Sequence, residues 1–181
     1  MTGFAPLITA RLVLRMPRPS DAPAIRRGAS DERVATMTAT IPHPYPDGAA
    51  EIWIADCARR VAAGEGWQLV VASRQDDTAI GAVGLDIEPP GTVPELSYWI
   101  AAEHWGRGFA TESARRVIAF GFDAGGQAEI RGHALADNAA SRRVLEKAGL
   151  DFDGLATVEH RGRNTLAAYY STTKGRWSSR A

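Results

Sequence analysis

The apolar positions of the chain alternate between a two-residue and a roughly four-residue rhythm, and each switch marks a change of element. The run Leu12 to Arg15 predicts a strand. A proline-marked turn follows, then a helix with Ser20 or Asp21 as N-cap and Pro23 in its first turn. Ile41 to Asp47, IPHPYPD, carries three prolines in alternation and is excluded from helix interiors, so it predicts a loop suited to lining a pocket. An Ala-rich helix is expected from about Gly48 to Ala63. WQLVVAS and AIGAVGLDIE read as consecutive strands around the polar turn RQDDT, which makes the sheet at least partly antiparallel.

A further strand, ELSYWIA, leads straight into His104 to Ser113, HWGRGFATES. From there Ala110, Ala114, Val117, Ile118, Gly121 and Phe122 fall on one helical face. After Gly125 and Gly126, EIRGHALA predicts a strand. DNAASRRVLEKAGL predicts a short helix with Asp137 or Asn138 as N-cap and Gly149 at its end. Two final strands flank the basic turn Arg161 to Arg163. No repeat, linker or low-complexity block interrupts residues 1–181, so a single domain is expected. Its class is α/β (α+β), with a mixed, mostly antiparallel sheet of about seven strands and about four helices.

Composition narrows the function classes. Lys plus Arg and Asp plus Glu both number 21, and without a basic run to track a phosphate backbone, nucleic acid is not expected as a partner. Cys57 is the only cysteine, which excludes an internal disulfide and fits a reducing compartment. The N-terminus has no apolar block of signal-peptide length and no stretch approaches the length of a membrane span, so the reading is cytoplasmic, with no membrane partner. His43, His104, His133 and His160 lack metal-ligand spacing, and no metal is expected.

Gly106 and Gly108 stand after a strand and before a helix, where unpaired N–H groups and the helix dipole favour an anion. A dinucleotide fingerprint fails, because GRGFAT places Thr111 where the third glycine belongs and Glu129 falls at the start of the next strand. A triphosphate loop fails too, since neither glycine precedes a lysine.

WIAAEHWGRGFATESARRVIAFGF followed by HALADNAASRRVLEKAGL resembles the GNAT superfamily of N-acyltransferases, especially its RimJ/RimL-like branch of ribosomal-protein N-acetyltransferases. LITARLVLRMPRPSDAPAI and AIGAVGLDIE extend the resemblance over nearly the whole chain. It implies splayed central strands, ELSYWIA and IRGHALA, with the pantetheine arm of acetyl-CoA between them and bonded to free backbone groups near Ile100. It also implies that Trp105, Gly106, Arg107, Gly108, Phe109, Ala110 and Thr111 form the pyrophosphate loop. Trp105 stands where many members carry Gln or Arg. Asn138 is then expected to touch pantetheine, although an ordinary helix cap explains it equally well.

The implied reaction is direct attack of an amine on the thioester of acetyl-CoA. The acceptor is a protein N-terminus or a small-molecule amine. The resemblance makes Glu95 the candidate base, alone or through water, because it opens the strand before the glycine turn where related enzymes often carry a Glu; an ordinary exposed strand-end carboxylate is the alternative. Many members place a tyrosine general acid one residue after the position that is Val144 here. This chain has Leu145, which leaves Ser141 as the substitute. Tyr98 is a secondary substrate-pocket candidate, although strict alternation puts it on the face opposite Glu95, Ser97 and Trp99. Arg161 and Arg163 hint at an anionic acceptor or stand as solvated turn residues. A non-catalytic CoA-binding protein of the same fold is the alternative, and a monomer and a homodimer are both open.

Overall fold

The computed structural model describes residues 4–179. Eight strands form one sheet: β1 (Leu7–Ile8), β2 (Leu12–Arg15), β3 (Gly66–Ser73), β4 (Ala79–Asp86), β5 (Glu95–Ile100), β6 (Glu129–Leu135), β7 (Asp151–His160) and β8 (Arg163–Thr173). Their order is β1-β2-β3-β4-β5-β6-β8-β7. Every neighbouring pair is antiparallel except β5 and β6. The helices are α1 (Ala22–Ala29), α2 (Glu32–Ala35), α3 (Ala49–Ala63), α4 (Phe109–Asp123), α5 (Ala139–Ala148) and α6 (Lys174–Ser178).

Alternation along the strands divides the core. Leu69 and Val71 of β3 join Val117, Ile118 and Phe122 of α4 and Leu145 of α5 in the larger cluster. Val70 and Ala72 face the other way, to Ile25 of α1 and Ala50 of α3. The sheet is therefore a partition with α4 and α5 on one face and α1 and α3 on the other.

The expected strand at 12–15 and the helix face through Ala114, Val117, Ile118, Gly121 and Phe122 are both present. Gly48 lies just outside α3, as a cap with φ of 77°. β1, α2 and α6 add elements that the sequence did not signal. None exceeds five residues, too short for a periodic pattern.

Between β5 and β6 the sheet opens. Among the described residues a single pair, Glu95 with Arg131, joins these strands, and the Arg131 amide donates to the Pro94 carbonyl at 2.9 Å. On its other edge β5 pairs with β4 throughout, and the Ala101 amide donates to Ile80 at 2.9 Å. Antiparallel alternation then turns the main chain of Tyr98 and Ile100 away from β4 and into the gap. The splayed strands implied by the resemblance are these two.

Candidate functional site

The chain leaves β5 through one 3₁₀ turn, Ala102–His104, and reaches α4 through Gly106 and Gly108, with φ of 73° and 79°. Both conformations belong to the left-handed region, where a Cβ is strained. A Cβ would meet nothing within 4 Å at Gly106 and only Arg11 Nη2, at 3.6 Å, at Gly108. The space before the turn is therefore open. Gly108 caps α4 without a side chain, which leaves the first-turn amides from Phe109, Ala110 and Thr111 for an anion.

Arg11 braces this turn from the sheet. Its Nη1 donates to the Arg107 carbonyl at 2.9 Å, its Nε to Glu112 Oε2 at 2.7 Å, and its guanidinium lies 4.6 Å over the Phe109 ring. Burial pushes the Glu112 carboxyl up, but bonds from Thr9 and Arg11 hold it below the usual carboxylate range, so it stays ionised as an anchor. The Arg107 side chain is exposed.

Trp105 does more than occupy the first loop position. Its indole N–H donates to the Ile100 carbonyl at 2.6 Å, although its surface remains 47% exposed. The Ile100 carbonyl is therefore engaged within the chain. The groups left for a ligand in the gap are the Ile100 amide and the main chain of Tyr98.

At the start of α5, Asn138 Oδ1 accepts from the Ser141 amide at 3.0 Å, so its side chain is engaged as a helix cap. Tyr98 crosses to this helix, with its hydroxyl 2.7 Å from Ser141 Oγ and donating to the Ser141 carbonyl at 3.1 Å. Burial pushes the phenol up to about 12, against the Ser141 hydrogen bond, so Tyr98 stays protonated through the neutral range. Leu145 is wholly buried in the core. A hydroxyl pair reaching across from β5 thus stands beside the gap in place of a single tyrosine on α5.

On the opposite face Glu95 is paired with His133 Nδ1 of β6. The imidazole stacks on Tyr169, with centroids 5.5 Å apart and planes at 28°. The hydrogen bond to Glu95 raises the His133 pKa above its ordinary value, and burial only partly opposes it. Deeper on this face Asp86 accepts from Ser97 Oγ at 2.7 Å, Gln68 Nε2 at 2.8 Å and Arg60 Nη2 at 2.9 Å.

A cavity of about 950 Å³ joins the two faces. Tyr98, Asn138 and Ser141 line it from the α5 side, and Glu95, Trp99 and His133 from the α1–α3 side. The Pro-rich loop forms part of its wall through Ile41, Pro42, Tyr45 and Pro46. The gap between β5 and β6 is therefore a passage through the sheet. Arg161 is not aimed at a ligand, because its guanidinium donates to the Ala35 carbonyl at 2.7 Å and to that of Ile41. Among the described residues no cluster of three or more His, Cys, Asp or Glu is arranged to hold a metal.

The acetyltransferase (GNAT) domain model matches residues 11–151. The chain belongs to the GNAT acetyltransferases. It is 31% identical over 153 residues to the uncharacterized N-acetyltransferase YoaA of Bacillus subtilis (strain 168), covering 84% of this chain and 86% of the relative. A crystal structure of a probable acetyltransferase superposes with a TM-score of 0.83 at 25% identity, over 97% of this chain and 100% of the other. RimL, a ribosomal L7/L12 alpha-N-protein acetyltransferase solved with coenzyme A, shares the fold with a TM-score of 0.82 at 14% identity, over 93% and 98% of the two chains.

Within this GNAT sheet His133 lines the cavity and pairs with Glu95, a placement that the histidines' lack of metal-ligand spacing did not address. A signal was available: Glu95 and His133 both sit on strands that flank the expected gap. Only the parallel register, Glu95 opposite Arg131 and two positions short of His133, puts them on one face.

Proposed function

We propose that this GNAT N-acetyltransferase, placed in the RimJ/RimL-like branch and in the cytoplasm, uses acetyl-CoA as donor and a primary amine as acceptor. The observation that carries the reading is the passage through the sheet, with a carboxylate–imidazole pair on one side and, after β5, a glycine turn that leaves the start of α4 without a side-chain cap. Main-chain amides of Gly106 to Thr111 hold the pyrophosphate. The Tyr98 and Ile100 main chain, with Asn138 beside them, receives the pantetheine arm. The amine enters from the α1–α3 face and attacks the thioester carbon directly. Its proton leaves through the Glu95–His133 pair, and the departing sulfur is met by the Ser141–Tyr98 hydroxyls.

The acceptor is a protein N-terminus or a small-molecule amine. Asp47, Asp56, Asp86, Glu88 and Glu95 line the cavity against one guanidinium, Arg60. That balance suits a cationic amine before deprotonation and runs against an anionic acceptor. Among the described residues no helix is long and apolar enough to cross a membrane.

Thermal melting with acetyl-CoA, NAD and ATP should show a rise for acetyl-CoA alone, since saturation at about 100 times Kd adds roughly 2.7 kcal/mol to the native state. Thiol release from acetyl-CoA should then appear when a panel of amines is supplied. Stabilisation without thiol release identifies a non-catalytic CoA-binding protein. Tyr98→Phe and Ser141→Ala should each lower kcat, by on the order of tenfold or more, while CoA affinity is kept. Unchanged turnover in both removes the hydroxyl pair from the reaction.

A further inference from the structure

The Glu95–His133 pair can take a proton at the carboxylate or at the imidazole, and the hydrogen bond between them sets which ring nitrogen is basic. Here Glu95 Oε1 is bonded to His133 Nδ1, which fixes the imidazole's neutral form with its proton on Nδ1 and leaves Nε2 as the basic atom. The ring is held flat against Tyr169 and lines the cavity with Trp99 and Glu95. We propose that His133 Nε2 accepts the proton of the acceptor amine, with Glu95 as the positioning residue that sets the tautomer and steadies the resulting imidazolium.

In this step the amine nitrogen forms the N–C bond, the C–S bond breaks, and the electron pair leaves on sulfur. The amine proton moves to His133 Nε2, the sulfur takes a proton through the hydroxyl pair, and solvent restores that hydroxyl proton while the imidazolium releases its own to solvent, so no net proton is gained or lost. The titratable groups facing the imidazole are Glu95 from β5 and Tyr169 from β8. Arg131, on the same strand, is engaged by Glu129 at 2.8 Å. Asp86, opposite Glu95 on β4, is held by Arg60, Gln68 and Ser97. His160, also lining the cavity, bonds the Thr36 carbonyl at 3.0 Å. The base works only when neutral. Because Glu95 raises its pKa, the acid limb of the rate profile should lie above the ordinary histidine value of about 6.5.

The inference rests on the acetyltransferase reading, and the experiment tests the two apart. Rates are followed across pH with acetyl-CoA and the best amine of a panel. Wild type, His133→Gln, Glu95→Gln and His133→Ala with added imidazole are compared, with NMR titration of the His133 ring in wild type and Glu95→Gln. His133→Gln should lose on the order of 10²-fold in kcat. Imidazole should restore part of the His133→Ala loss. Glu95→Gln should keep part of its activity and move both the acid limb and the ring titration to lower pH. Active wild type with a fully active His133→Gln overturns the inference alone, and so does a ring titration that Glu95→Gln leaves in place. The titration needs no turnover and decides the matter if the His133 variants do not fold. Wild type that binds acetyl-CoA but acetylates no amine overturns the function itself, and the inference with it.

Discussion

Gly108→Glu is expected to weaken acetyl-CoA binding by about 10²-fold or more, roughly 2.7 kcal/mol, in a protein that still folds. Two effects combine. The residue has φ of 79°, so any L side chain costs about 1 kcal/mol or more there, and relief of that strain tilts the turn's amides off the anion. The larger effect is charge. The Cβ position faces open space apart from Arg11 Nη2 at 3.6 Å, and a carboxylate placed there would sit in the region proposed for the pyrophosphate, before the uncapped start of α4. Gly108→Ala isolates the conformational part and should cost about tenfold or less. Isothermal titration of acetyl-CoA into both variants reads the difference. Wild-type affinity in a folded Gly108→Glu protein removes the turn from the cofactor site.

The conformation of the glycine turn was legible because it is local: the left-handed backbone and the helix start both lie within Gly106 to Thr111. The same holds for the β3–β4 hairpin, where two apolar runs flank a short polar turn, and for Gly149, which ends α5 at φ of 99°. Features set by register or by long-range packing were not legible. Tyr98 and Ser141 are 43 positions apart and meet only because α5 lies across the splayed strands. Trp105 reads as a loop residue, and its bond to Ile100 depends on how the 3₁₀ turn folds the chain back. Arg161 illustrates the limit most plainly. An exposed basic turn suggests an anion, but the β7–β8 hairpin carries Arg161 to carbonyls more than a hundred residues earlier. A charge in a sequence states what it can bind, and only topology states what is within reach.

The largest expected loss of stability lies at the other end of the sheet, at Arg15 of β2. The side chain is buried, with the residue 3% exposed, and forks onto Asp21, itself 5% exposed, through Nη1 to Oδ2 at 2.8 Å and Nη2 to Oδ1 at 2.9 Å. Its Nε reaches Asp77 Oδ1 at 2.9 Å, and the Arg18 amide donates to Asp21 Oδ2 at 2.7 Å. This one guanidinium fastens β2 to the start of α1 and to the β3–β4 turn. Arg15→Ala leaves the Asp21 carboxylate buried without its counter-charge, and a loss of about 3–5 kcal/mol in urea unfolding is expected. Replacing both residues with leucine removes the stranded charge, so the double variant should lose less than the two single losses added together. Strict additivity would show that the pair is not coupled.

The pH dependence follows from the same contacts. Burial pushes the Asp21 carboxyl up, but the bonds from Arg15 and Arg18 outweigh it and hold the folded value below the usual range. A depressed folded pKa contributes stability above the unfolded value, about 3.9, and loses it as pH falls through the folded one. Wild type should therefore lose stability steadily from mild acid downward. Asp21→Asn, already short of that contribution at neutral pH, should follow a shallower slope over the same interval. Urea unfolding of both proteins from neutral to acid pH gives the two slopes directly, and parallel curves would mean that Asp21 ionises no more readily in the folded chain than in the unfolded one.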